Sequence, residues 1–246
     1  ILLCYSRSGV SGNKTSGNYG GSDVWILQIN TTDLSIDAQH HWGAPFNEAP
    51  RALEKIGSNY FIACSSETGT GNDKTETGYG LGDVWLLKTD LDFNLLEDKC
   101  FGGSEMDYPE DMCQLNGELF ITTASYSNTS GNKTHDNFGS MDAYPRSDCW
   151  ILKVDPISMD LVWDFSFGGT DADLVSRITV LDDNRMIISM YSMSAQNTGN
   201  ISSPGFGLYD TKYLVINPDG DMLTQFSMGG SGQDYCRVSL VNNGII

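Results

Sequence analysis

Basic side chains are scarce in this sequence: 14 Lys and Arg stand against 32 Asp and Glu, for a formal charge of −18. That imbalance opposes the phosphate neutralisation on which nucleic-acid binding depends, and it disfavours anionic membranes for the same reason. No stretch is apolar for long enough to span a bilayer, so direct membrane insertion is not expected. No signal peptide or sorting tail is visible either, and no 3.6-residue apolar period that would mark a helix. Histidine numbers three, and His40 and His41 are neighbours on a strand-like run, so they point to opposite faces and cannot share a metal. Six cysteines contain no CxxC pair, which removes the usual zinc signature. Cys4 and Cys64 occupy the same place in consecutive repeats, about 10 Å apart if those repeats are neighbouring sheets, beyond disulfide reach. Six free thiols, buried as small hydrophobes, are expected.

What is present is self-similarity. One passage of about 60 residues is written four times. Its clearest line, Asp-Val-Trp-Ile-Leu-Gln-Ile-Asn from Asp23, returns from Asp83 and from Asp148, and in degenerate form from Asp210 to Asn217. A second strand-like stretch follows each and ends at an aromatic or apolar residue before Gly-Gly or its relic: Trp42-Gly43-Ala44, Phe101-Gly102-Gly103, Phe167-Gly168-Gly169 and Met228-Gly229-Gly230. Five residues beyond the first glycine stands an acid each time: Glu48, Asp107, Asp173 and Asp234.

In the third copy, Asp173 to Leu181 reads as one strand and Met186 to Ser192 as a second, joined at Asp182-Asp183-Asn184. A polar loop follows, then a third strand from the Asp-x-Trp and a fourth from about Leu161. With 27 glycines and only 7 prolines, this is an all-β chain of four-stranded antiparallel units, the requirement of a β-propeller blade. We expect a single propeller domain over 1–246, with repeats at approximately 1–59, 60–118, 119–185 and 186–244. Both termini fall inside a repeat. An opening second strand at Ile1 to Ser6 and an orphan first strand at Asp234 to Val241 fit either a closed four-bladed ring or an arc of a larger propeller.

The order of acid after Gly-Gly, hairpin, polar Gly-Asn loop and Asp-x-Trp-Ile-Leu-Lys-x-Asp resembles the propeller repeats of secreted and cell-surface bacterial proteins, relatives in architecture of Kelch and PQQ-type propellers. The resemblance covers the whole chain. It implies an extracellular or cell-surface setting and a binding or spacer role rather than one activity. It also implies that first strands line a central channel, which would gather Glu48, Asp107, Asp173 and Asp234 at one mouth. Lys212 at the tryptophan position and Ala44 at the second glycine depart from the pattern, so irregular packing is expected in those two blades.

Two readings attach to those acids. Together they could hold a cation such as calcium, or each could accept backbone N–H groups from its own tight turn; the second is preferred, and no cofactor is required. The polar loops around Asn13, Asp73, Asn132 and Asn200, each with an aromatic a few residues on, suit either sugar binding or inter-blade packing. Only the third loop carries an insertion, around Tyr144 and Arg146 near His135, and a specialised partner site is expected where symmetry breaks. Ser11-x-x-Lys14, Ser130-x-x-Lys133 and the Gly69–Thr75 stretch imitate acyl-transfer and phosphate-loop motifs without the helix those require. The expectation is therefore a non-catalytic binding or scaffold module, its partner carbohydrate or protein. The alternative is a glycosidase or lyase using channel-mouth carboxylates.

Overall fold

The strands form four antiparallel sheets, each with its strands in chain order, and each complete sheet begins at the acid that follows Gly-Gly or its relic. The structure, a computed structural model, describes residues 1–67, 69–139 and 147–236. The first sheet holds β1 (Leu2–Ser6), β2 (Asp23–Ile29) and β3 (Ile36–Trp42); the second β4 (Glu48–Ile56), β5 (Asn59–Glu67), β6 (Gly82–Thr89) and β7 (Leu95–Phe101). The third holds β8 (Asp107–Leu115), β9 (Glu118–Ser125), β10 (Asp148–Val154) and β11 (Leu161–Phe167). β12 (Asp173–Val180), β13 (Met186–Ser192), β14 (Asp210–Ile216) and β15 (Met222–Met228) form the fourth. Among the described residues there is no helix. The sheets stack as propeller blades, innermost strand to innermost strand, with β1 on β4, β4 on β8 and β8 on β12. The strand at Asp234 to Val241 lies mostly outside the described residues.

Burial on both faces explains why the Asp-x-Trp strands read as unbroken apolar runs. Along β10, Cys149 and Ile151 pack with Val175, Ile188 and Leu214 of the fourth blade, while Trp150 and Leu152 face Phe61, Val84 and Leu86 of the second. The period of two therefore sorts one strand's side chains between two different inter-blade cores. Irregularities repeat as faithfully as strands. A bulge breaks the first strand at Pro50/Ala52, Pro109/Asp111 and Val175/Arg177. In the turn before the outer strand, Leu34, Phe93 and Met159 take positive φ (61°, 60° and 58°), a backbone conformation unfavourable for a bulky side chain. Phe93 and Met159 are anchored there by complete burial against the preceding blade.

None of the six cysteines is in a disulfide, but only Cys64, Cys100, Cys113 and Cys149 are buried, against the expectation that all six are; Cys4 and Cys236 are half-buried. Burial pushes the Cys100 thiol up to about 12, so it is inert as a nucleophile at neutral pH.

The fourth blade does not pack irregularly. In the first three blades a loop lysine is buried beneath the strand tryptophan: Lys14 lies 5.8 Å from the Trp25 ring centroid, Lys74 6.0 Å from Trp85 and Lys133 5.0 Å from Trp150. Lys14 Nζ donates to the carbonyls of Ser16 (2.7 Å) and Gly17, and Lys133 Nζ to Ser166 Oγ (2.7 Å). The fourth blade exchanges the two residues. Ile201 fills the loop position, fully buried, and Lys212 sits on the strand. Its ammonium reaches the carbonyls of Ser203 (3.2 Å) and Pro204 (3.0 Å), two and three residues after Ile201, as Ser16 and Gly17 follow Lys14. The ammonium also lies 3.5 Å from Ser227 Oγ, which holds the register position of Ser166. A buried cation is thus delivered to the same place from the opposite element, and the loop carbonyls that need it keep their donor.

Lys212→Trp alone should therefore destabilise the chain by about 2 kcal/mol, the loss of charged hydrogen bonds to buried carbonyls. Ile201→Lys in the same chain should recover at least half of it. Denaturant unfolding of the two single variants and the double variant measures that coupling, and additive losses would show the exchange to be coincidental.

Candidate functional site

The acids at the head of the third strands are the most constrained groups in each blade. Asp23, Asp83, Asp148 and Asp210 are buried, and one carboxylate oxygen of each accepts the backbone N–H of its loop aromatic, four residues earlier in three blades and ten in the third: Tyr19 (2.6 Å), Tyr79 (2.6 Å), Phe138 (2.7 Å) and Phe206 (2.6 Å). The other oxygen lies against the glycine that ends the outer strand, so closely that a Cβ on Gly43, Gly102, Gly168 or Gly229 would collide with it. That contact explains the first glycine of each Gly-Gly pair. Burial raises the Asp23 carboxyl, Asp83 to about 6 and Asp148 to about 7, and neighbouring Asp107 and Asp173 add to the last two.

For the second set of acids a shared cation or a local turn contact was expected, the turn contact being preferred. Each takes the backbone N–H of its own turn: Glu48 from Ala44 (2.9 Å), Asp107 from Gly103 (2.7 Å), Asp173 from Gly169 (2.7 Å) and Asp234 from Gly230 (2.8 Å). Ser127 Oγ and Ser194 Oγ add hydrogen bonds of 2.8 and 2.7 Å to Asp107 and Asp173. Glu48, Asp107 and Asp173 are wholly buried, and Asp234 is half-buried. Among the described residues no three His, Cys, Asp or Glu side chains stand together as a metal site. The positive partners lie within the blades. Burial holds Lys133 down to about 8, while Asp107, Asp164 and Asp148 pull it up. Lys212 is likewise lowered by burial and raised by Asp173 and Asp210. An interior ammonium between two interior carboxyls is a structural device repeated with the blades, and no substrate could reach it. The two serine–lysine pairs are equally unavailable, since Lys14 and Lys133 turn inward beneath their tryptophans.

The loop residues join one blade to the one before it. Gly102 N–H donates to Asn132 Oδ1 (2.9 Å) and Asn132 Nδ2 to the Cys100 carbonyl (3.0 Å). Asn200 repeats both bonds on Gly168 (3.0 Å) and Ser166 (2.9 Å). Asp73 accepts the Gly43 N–H at 3.1 Å. The loop aromatics also serve this joint: Tyr79 lies over Gly131 and Phe138 over Gly199.

One open cleft breaks the repeat. It lies where the third and fourth blades meet, has a volume of about 440 Å³, and is lined by His135, Phe138, Trp163, Phe165, Asp219 and Asp221 among others. His135, singled out from sequence, stands at its edge, with Nδ1 2.9 Å from Thr134 Oγ1 and 3.7 Å from Asp164 Oδ1. Tyr144 and Arg146 lie outside the described residues. Trp163 and Phe165 escaped the sequence reading. Their register equivalents are Ala38 and His40 on β3, Glu97 and Lys99 on β7, and Thr224 and Phe226 on β15. Trp163 is therefore the one tryptophan outside the repeating positions, a signal that comparing the copies residue by residue would have exposed. Its indole N–H is buried in the cleft wall with no protein partner.

No protein-family model matches the chain, and no curated protein matches it. Solved structures that align with it include variants of the Synechocystis apocarotenoid oxygenase, at 11% identity and a TM-score of 0.40 over 82% of this chain and 43% of theirs. A chimera of that enzyme with RPE65 aligns at 10% identity and a TM-score of 0.41. The chain spans less than half the length of these structures, and likeness at this level carries no argument about activity.

Asp148 keeps its proton to about pH 7 in the folded chain, against an ordinary value of 3.8. The folded state is therefore favoured at acidic pH, and the advantage is lost as pH rises through 7. Thermal melts should show Tm falling from pH 5 to pH 8, with a shallower slope in Asp148→Asn, whose amide cannot ionise. An equal slope in the variant would place the effect elsewhere.

Proposed function

We propose that this protein is a non-catalytic carbohydrate-binding module and that the cleft between the third and fourth blades is its site. The observation that carries the reading is the off-repeat Trp163, with Phe165 beside it and the exposed acceptors Asp219 and Asp221 nearby. Aromatic faces pack on the apolar faces of sugar rings, while carboxylates accept hydroxyl hydrogen bonds. The cleft volume falls within the range of small-ligand sites. An acidic protein that recognises a neutral glycan needs no cationic surface, so the charge of −18 is no obstacle. An extracellular or cell-surface setting, which the repeat resemblance implies, suits such a role.

Binding is favoured over catalysis because the alternative depends on Asp107 and Asp173. Both are wholly buried and engaged with their own turns, whereas glycoside hydrolysis needs two carboxyls flanking an accessible bond. A glycan array followed by calorimetry tests the reading. Trp163→Ala and Asp219→Asn should each weaken binding of the retained oligosaccharide by about ten-fold or more, equivalent to 1.4 kcal/mol. Asp219 is exposed, so its variant should melt at the parental temperature. Glycan turnover abolished by Asp107→Asn would instead install the enzyme reading.

A further inference from the structure

At each joint the outer strand of one blade faces the turn before the outer strand of the next. One position of that strand, fixed by register, holds His40 in the first blade, Lys99 in the second and Phe165 in the third. His40 lies against Phe93 of the second-blade turn, with ring centroids 5.5 Å apart. In that turn the Asn94 hydrogen bonds, and to a lesser degree His40, hold the Asp90 carboxyl below its ordinary value. Lys99 Nζ lies 3.8 Å from Asp160 Oδ1 of the third-blade turn. With Phe165 at the same position, the joint between the third and fourth blades is built without that cation. The turn it faces nevertheless carries two exposed carboxylates, Asp219 and Asp221, and Asp221 stands directly before the outer strand as Asp160 does.

Two further replacements keep the place open. The turn residue of positive φ is Phe93 in the second blade and Met159 in the third, each buried against the preceding blade, but Gly220 (φ 90°) in the fourth. Trp163 lies against that bare backbone, where a Cβ on Gly220 would stand 3.3 Å from two of its ring carbons. Trp163 and Phe165, with ring centroids 5.6 Å apart, form a half-buried aromatic wall beside the carboxylates. The nearby cations are engaged elsewhere. Lys153 Nζ pairs with Glu118 at 2.6 Å and donates to the Pro218 carbonyl at 3.2 Å, and His135 Nδ1 lies 3.7 Å from Asp164 Oδ1. Asp221 accepts a hydrogen bond from Asn217 Nδ2 (2.9 Å), but among the described residues neither it nor Asp219 has an ion pair.

Resting on the carbohydrate reading of this cleft, we propose that its ligand is an amino sugar with a free amine, whose ammonium takes the place that Lys99 fills one joint earlier. There the ammonium gains from the carboxylates and from the negative faces of the aromatic rings. An uncharged sugar of the same shape gains only hydroxyl hydrogen bonds, and a sugar carboxylate is repelled. The formal charge of −18 also raises the concentration of cationic ligands at the surface.

Calorimetry with a trisaccharide of glucosamine and with its fully N-acetylated counterpart tests this. The amine form should bind about ten-fold more tightly. Replacing Asp219 and Asp221 together by Asn should bring the two forms to within about two-fold of each other, and because both residues are exposed the variant should melt at the parental temperature. Phe165→Lys restores a built-in cation and should weaken binding of the amine form by about ten-fold; if that variant does not fold, the paired Asn substitutions carry the test alone. Wild-type protein that binds the acetylated form as well as the amine, or binds neither while retaining another glycan, overturns the amino-sugar assignment and leaves the carbohydrate reading in place. A preference for the amine that survives both Asn substitutions overturns the assignment as well. A protein that retains no glycan at all overturns the carbohydrate reading itself, and the assignment falls with it.

Discussion

Everything in each blade is referred to the carboxylate at the head of its third strand. With one oxygen it fixes the polar loop through a backbone N–H, and with the other it rests on the glycine that ends the outer strand. Three segments distant in sequence are located by a single short side chain. The arrangement is costly, because a carboxylate buried this deeply prefers its proton. The interior lysine offsets part of that cost, which is why the ammonium is preserved in all four blades although two different sequence positions supply it.

The glycine and asparagine of adjoining blades then complete the architecture. The turn located by the carboxylate of one blade presents its N–H to the loop of the next, and the aromatic of one loop lies over the glycine of the following one. Loops that resemble ligand sites by composition are thus consumed in holding blades together. The repeat is interrupted at Trp163 instead, whose register equivalents are Ala38, Glu97 and Thr224.

The strands were legible in the sequence because two-sided burial writes itself as apolar runs, and Gly-Gly followed by an acid marks each return to a first strand. The fourth-blade hairpin begins at Asp173 and resumes at Met186 as the pattern requires. The turn-capping role of Glu48, Asp107, Asp173 and Asp234 was legible for the same reason, since a local contact leaves a fixed spacing. Lys212 was misread as a defect. Its compensation by Ile201 is a proximity between strand and loop that has no fixed spacing, and a linear reading sees two unrelated substitutions. Trp163 was overlooked because repetition directs attention to what recurs.

The inter-blade bonds also bear on how the chain acquires its structure. Each joins a turn to a loop only 30 to 32 residues downstream, so no blade must wait for a distant partner before it is locked. Coupling restricted to neighbours lets order spread along a repeat array one unit at a time. On the ribosome, a blade would be secured as soon as the following loop emerged, and the interval during which its bare apolar faces are open to aggregation would last no longer than the synthesis of half a repeat.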